Sequence, residues 1–287
     1  MSPSQSLLSL ILSLSSILAA SDDYTNLVFK GCADQNFQDF NGVYKQSLKN
    51  LLNTLTTQSS AAKFNNNTAG DGASTINGLF QCRGDLSNDD CDACVKRASS
   101  MTRKLCGEAV AVRVQLNGCY LRYEVSSFVQ VNGTELLYKV CGSNWANGPG
   151  FGERLDTALG EIVKGVGNGF YAGGYESVYV LGQCEGDIGG GDCVNCVKNA
   201  IDRAKSECGS SISAQIYLQH CYISYTYYPN GVPKNQQSFS SSGRGRNAQK
   251  TVAIVLGGIV GVALVMACLL FTKSAFKKKT HTYKYGG

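Results

Sequence analysis

The sequence predicts an α+β fold: two tandem disulfide-stapled modules, each an antiparallel sheet with two helices on one face, plus one transmembrane helix. Three observations predict it. The cysteines are written twice: Cys82, Cys91, Cys94, Cys106 and Cys119 recur as Cys184, Cys193, Cys196, Cys208 and Cys221, with steps of 9, 3, 12 and 13 in both sets. Between them the apolar residues follow a helical period and then a period of two, again in both copies. Near the C-terminus, Thr251 to Thr272 contains no charged residue. The predicted organisation is a signal peptide at 1–21, modules at 22–134 and 135–236, a flexible stalk at 237–250, a span at 251–272 and a cytoplasmic tail at 273–287.

The apolar, serine-dotted run from Leu7 to Leu18 is followed by Ala19, Ala20 and Ser21, which reads as a secretory signal peptide cut near Ala20 or Ser21. It is too short and too rich in serine for a membrane anchor.

Helix one of each module is an apolar stripe. Phe40, Val43, Tyr44, Leu48, Leu51, Leu52 and Leu55 form it in the first copy, and Phe151, Leu155, Leu159, Ile162, Val163 and Val166 in the second. Strands are expected near Thr75 to Gln81 and Ser177 to Gln183. Helix two follows. Ser87 offers an N-cap ahead of Asp89 and Asp90, Cys91, Cys94, Val95, Ala98, Met101 and Leu105 share a face, and Gly107 suits the stop. Cys193, Cys196, Val197, Ala200, Ala204 and Gly209 repeat this.

Two alternating strands complete each module. Val110, Val112, Val114 and Leu116 share one face, then Leu121, Tyr123 and Val125. Ile212, Ala214, Ile216 and Leu218, then Ile223, Tyr225 and Tyr227, are their counterparts. A period of two implies one buried and one available sheet face.

The stretch from Pro229 to Gln249 shifts to Gly, Ser, Asn, Gln and Arg, the composition of a flexible stalk. The 22 residues from Thr251 to Thr272 reach about 33 Å as a helix, enough for a hydrocarbon core. Lys273, Lys277, Lys278, Lys279 and Lys284 follow, outnumbering Arg244, Arg246 and Lys250 before it, so the tail is expected inside the cell. Gly257 and Gly261 form a candidate helix-packing motif, against the reading that glycine is common in spans. Cys268 is a candidate for palmitoylation or a small packing residue.

An exported chain matures in an oxidising compartment, so the twelve cysteines outside the span are expected in disulfides. Six per module allow fifteen pairings, among which spacing does not choose. Zinc and a redox dithiol are disfavoured: only His220 and His281 exist, and neither is placed as a ligand. No metal and no cofactor is expected. Asn66 and Asn132 open N-glycosylation sequons. The net charge of +5 partly reflects the tail and stalk and is no argument for nucleic acid. Catalysis is not expected, because no histidine serves a nucleophile. Gly186 to Gly191 lacks the lysine of a phosphate loop and reads as a flexible loop.

The cysteine pattern, Cys-x8-Cys-x2-Cys with further cysteines at +12 and +13 and a lone one upstream, resembles the ginkbilobin-like cysteine-rich secretory repeat of land plants. Two repeats, a signal peptide, one span and a short tail resemble the plasmodesmata-located protein family over nearly the whole chain. The cysteine-rich receptor-like kinases share the plan, but about fifteen residues follow the span here and no kinase domain is expected.

The resemblance implies disulfides Cys32–Cys106, Cys82–Cys91 and Cys94–Cys119, and Cys141–Cys208, Cys184–Cys193 and Cys196–Cys221. It also implies a mannose site. The family's asparagine, arginine and glutamate fall at Ala33, Arg113 and Glu124, and at Gly142, Gln215 and Thr226. Only Arg113 and Glu124 match, on the outward face of their strands, where an exposed salt bridge is the plainer reading.

The function implied is non-enzymatic: a type I plasma-membrane protein at plasmodesmata that modulates cell-to-cell trafficking through its apoplastic modules, with links to callose deposition. Receptor kinases, callose synthase complexes, viral movement proteins and wall glycans are the implied partners. The alternatives are a lectin-like glycan receptor subunit acting through a co-receptor, and a membrane-tethered antifungal module.

Overall fold

The computed structural model describes residues 24–39, 41–125, 133–146 and 149–232. In the first module the order is β1 (Leu27–Cys32), α1 (Val43–Gln58), β2 (Phe64–Ala69), β3 (Ile76–Cys82), α2 (Asn88–Cys106), β4 (Ala111–Leu116) and β5 (Cys119–Glu124). The second repeats it with β6 (Leu136–Cys141), α3 (Phe151–Gly165), β7 (Phe170–Tyr175), β8 (Val178–Cys184), α4 (Gly190–Cys208), β9 (Ser213–Leu218) and β10 (Cys221–Tyr227). Each module is a five-stranded antiparallel sheet, ordered β1-β4-β5-β3-β2 and β6-β9-β10-β8-β7.

The helices cover one face of each sheet. α1 lies over β2 and β3, and α2 over β4 and β5. Leu51 and Leu55 from α1 meet Ile76, Phe80, Val112, Val114, Leu121 and Tyr123 in one core. Ile162, Val180, Ala200, Ile216 and Ile223 build its counterpart. The helix approaches so closely that a Cβ at Gly78 would meet Leu51 at 2.8 Å. α2 starts where Ser87 Oγ accepts the Asp90 N–H at 3.1 Å, and Gly107 closes it at φ 61°.

Six disulfides staple the layers: Cys32–Cys106, Cys82–Cys91 and Cys94–Cys119, then Cys141–Cys208, Cys184–Cys193 and Cys196–Cys221. One bond ties the end of β1 to the end of α2, and the other two hold α2 against β3 and β5.

Several expectations are corrected. Each sheet has five strands where three were legible. The added edge strands are β1 and β2, and β6 and β7, and β2 reads Phe-Asn-Asn-Asn-Thr-Ala, a run poor in strand formers. Val43 opens α1 but is 48% exposed, so it leaves the apolar stripe. Val110 precedes β4, and Ala109 enters the core in its place. Gly190 already belongs to α4, so the Gly186–Gly191 stretch is not all loop.

Among the described residues no helix is long and apolar enough to cross a membrane. The signal peptide, Phe40, Asn132, the stalk, the span with Gly257, Gly261 and Cys268, and the tail all lie outside the described residues.

Candidate functional site

The sheet faces turned away from the helices are the ones that sequence reasoning left available, and they pack against each other. Pairing fixes which side chains share that seam, because residues opposite one another on antiparallel strands point to the same side. In the first module a row runs Phe29, Gln115, Tyr120, Gln81, Phe64 across five strands. In the second the same row runs Tyr138, Tyr217, Tyr222, Gln183, Phe170. The neighbouring rows run Gly31, Arg113, Arg122, Leu79, Asn66 and Val140, Gln215, Ser224, Leu181, Ala172.

Equivalent positions on the edge strands β1 and β6 meet each other. The Phe29 and Tyr138 rings stack at 5.0 Å, and Tyr217 closes on Phe29 edge-on at 5.4 Å. Glycines allow the approach reciprocally. A Cβ at Gly84 would meet Phe170 at 2.4 Å, and one at Gly186 would meet Phe64 at 2.5 Å. This is the contact logic of a two-fold dimer written within one chain.

The polar groups of the seam are not symmetric. Arg122 donates to Glu185 at 2.8 Å, and the Tyr120 hydroxyl donates a hydrogen bond to the same carboxylate. Burial, and then the Glu185 charge, hold the Tyr120 phenol well above its ordinary pKa. Gly84 N–H donates to Gln183 Oε1 at 2.9 Å. At the position equivalent to Glu185 stands Arg83, which turns to Asp85 within its own module at 2.6 Å.

The sugar-site residues can now be placed. Backbone pairing brings Ala33, Arg113 and Glu124 to neighbouring strands: Ala33 N–H donates to Ala111 O at 2.9 Å, and Ala111 lies opposite Glu124. Arg113, however, is opposite Arg122 rather than Glu124. Its guanidinium lies 4.0 Å from the centre of the Tyr120 ring and donates to Gln219 O at 3.3 Å in the second module. Burial pulls its pKa down from the usual arginine range. Glu124 Oε1 is buried without a hydrogen-bond partner among the described residues, and burial raises its pKa. The expected outward polar patch is therefore corrected: Arg113 is part of the intermodule seam. The physical reason is that the second module covers the face of β4 that period-two alternation left open. In the second module Gly142 N–H donates to Ser213 O, with Gln215 and Thr226 near it.

Asn66 is exposed on the edge strand β2. The residues that sequence reasoning missed are Tyr120, Arg122, Glu185, Gly84 and Gly186. A signal existed: tyrosine, leucine and glutamine at outward strand positions, where a solvated face carries lysine and glutamate.

A family model described as salt stress response/antifungal matches residues 31–126 and 140–228, once per module. The chain is 50% identical over 283 residues to plasmodesmata-located protein 2 of Arabidopsis thaliana, covering 93% of this chain and 92% of that protein. The chain belongs to the plasmodesmata-located protein family. Plasmodesmata-located protein 1 of the same plant is 47% identical, with 93% of each chain covered. Among solved structures, the tandem ectodomain of the Arabidopsis thaliana cysteine-rich receptor-like protein PDLP8 matches with a TM-score of 0.67 at 30% identity. That match covers 71% of this chain and 98% of that one. Membership gives the tandem of disulfide-stapled modules and their packing a shared architecture with the family's ectodomains.

Proposed function

We propose that this chain is a non-enzymatic, single-pass type I membrane protein of plasmodesmata, whose apoplastic tandem modulates cell-to-cell traffic by recruiting partners. The observation that carries the reading is 50% identity, along 93% of the chain, to a protein named for plasmodesmata. In this reading residues 1–21 are removed on export, 22–134 and 135–236 are the modules, 237–250 the stalk, 251–272 the span and 273–287 the tail. Asn66 and Asn132 carry glycans, Gly257 and Gly261 pack the span, and Cys268 takes a palmitoyl group.

Callose synthase complexes, receptor kinases and viral movement proteins are the proposed partners. The seam supports a recruitment role, since it covers the helix-free sheet faces and leaves the helical faces to meet partners. The antifungal alternative draws on the description of the matching family. The lectin-like alternative through Arg113 is weakened by the burial of that guanidinium.

The test is a C-terminal fluorescent fusion imaged in leaf epidermis beside a callose stain. Paired puncta across walls that coincide with callose are expected. An even outline of the cell surface would overturn the reading and favour the receptor alternative. Growth inhibition of fungi by the purified ectodomain would favour the antifungal one.

A further inference from the structure

The two halves of the seam are related position by position, and one half is filled where the other is open. In the filled half Arg113 and Arg122 from the first module reach over Tyr120 to Gln219 and Glu185 of the second. In the other half the equivalent residues are Gln215, Ser224, Tyr222, Asn117 and Arg83. Two arginines have become glutamine and serine. The lost volume reappears as a cavity of about 170 Å³ between the modules, lined by those residues together with Leu181 and Tyr217. That is comparable with the roughly 150 Å³ void that admits a benzene-sized molecule.

The chemistry of this cavity is lopsided. The Tyr120 hydroxyl donates a hydrogen bond to the Glu185 carboxylate. Its counterpart, the Tyr222 hydroxyl, is buried and has no partner among the described residues, because the equivalent of Glu185 is Arg83. Gln215 has its carbonyl oxygen engaged by the Tyr217 hydroxyl at 2.7 Å, which presents the amide N–H groups instead. Arg83 binds Asp85 through Nε and Nη2 and Asn117 O through Nη1 at 3.5 Å, which leaves one further N–H on each of Nη1 and Nη2. Donors therefore converge where the other half holds a carboxylate. An unpaired buried hydroxyl is unfavourable, and a ligand that accepts from it relieves that penalty.

We propose that this intermodule cavity binds a small carboxylate, which accepts hydrogen bonds from Tyr222, Arg83 and Gln215 as Glu185 accepts from Tyr120 and Arg122. The ligand class is a monocarboxylic or dicarboxylic acid of few carbons. The cavity differs from the positions at Ala33, Arg113 and Glu124, and the inference does not depend on where in the cell the protein acts.

The experiment is isothermal titration of the full chain in lipid nanodiscs with acetate, with succinate, and with acetamide as the neutral isostere of acetate. Saturable binding of acetate or succinate is expected, with acetamide about tenfold weaker, since charge-assisted hydrogen bonds are roughly twice as strong as neutral ones. Two variants accompany it. Ser224→Met fills the cavity with an uncharged side chain about as long as the stem of Arg122 and should abolish binding. Tyr222→Phe removes the hydroxyl and should weaken binding several-fold without lowering the thermal transition of the ligand-free chain. Absence of saturable carboxylate binding, equal binding of acetamide, or affinity unchanged in either variant would overturn the proposal.

Discussion

The Arg122 guanidinium of the first module donates to the Glu185 carboxylate of the second at 2.8 Å, and both side chains are buried. The pair sits under the Tyr120 hydroxyl, so one carboxylate satisfies two donors from the other module. Removing only one charge strands the other in a site closed to water. Glu185→Ala should destabilise the chain by about 3–5 kcal/mol in chemical denaturation. The double variant Arg122→Met with Glu185→Leu should recover part of that loss, because no charge is stranded and only the Tyr120 hydroxyl loses its acceptor. A single variant with an unchanged midpoint would show that the modules pack without this pair.

The reciprocal glycines make a second prediction. Gly84→Ala drives a Cβ into Phe170, and Gly186→Ala drives one into Phe64. Each should destabilise by about 1–3 kcal/mol through overpacking. Replacing the facing phenylalanine with leucine in the same chain should relieve part of that, with a coupling of about 0.5 kcal/mol or more in a double-mutant cycle. Additive effects would mean that the glycines serve their own turns and not the seam.

Most of each module was legible because its signals are local. The stripe through Leu48, Leu51 and Leu55, the cap at Ser87 and the alternation through Val112, Val114 and Leu116 are set by neighbours in sequence. The edge strands were harder. β2 is held by pairing with β3 and carries three asparagines, so tertiary context overrides its weak propensity. β1 left a trace, since Leu-Val-Phe-Lys-Gly-Cys at Leu27–Cys32 is echoed as Leu-Leu-Tyr-Lys-Val-Cys at Leu136–Cys141. The seam was hidden for another reason. Arg113 and Arg122 look like solvated residues until a second sheet covers them, and nothing within one module reveals the burial that its repeat supplies.

Tyrosine ionisation predicts the alkaline limit of stability. Tyr123 and Tyr225 occupy equivalent core positions and donate to Ala109 O and Ser211 O. Burial pushes both phenols up to about 12, and Glu108 adds to the effect at Tyr123. In the unfolded chain they titrate near 10. The folded state holds these protons more tightly, so stability is complete below pH 10 and falls as the pH rises from about 10 to 12. Denaturation midpoints measured across that window should drop. The Tyr123→Phe and Tyr225→Phe variants should start less stable at neutral pH but lose less on the way up.

The disulfides predict an order of stabilisation set by the length of chain each one closes. Cys32–Cys106 spans 74 residues, Cys94–Cys119 spans 25 and Cys82–Cys91 spans 9. If the staples act by restricting the unfolded chain, loop closure assigns them about 4.4, 3.5 and 2.6 kcal/mol at room temperature. Replacing each pair with serines, one pair at a time, should destabilise the chain in that order under non-reducing denaturation. The second module offers an internal control: Cys196–Cys221 and Cys184–Cys193 repeat the 25 and 9 spacings. Equal losses at equal spacings in the two modules would support the entropic account. A larger loss for Cys82–Cys91 than for Cys32–Cys106 would overturn it, and would mean that anchoring α2 to β3 matters more than the length of chain enclosed.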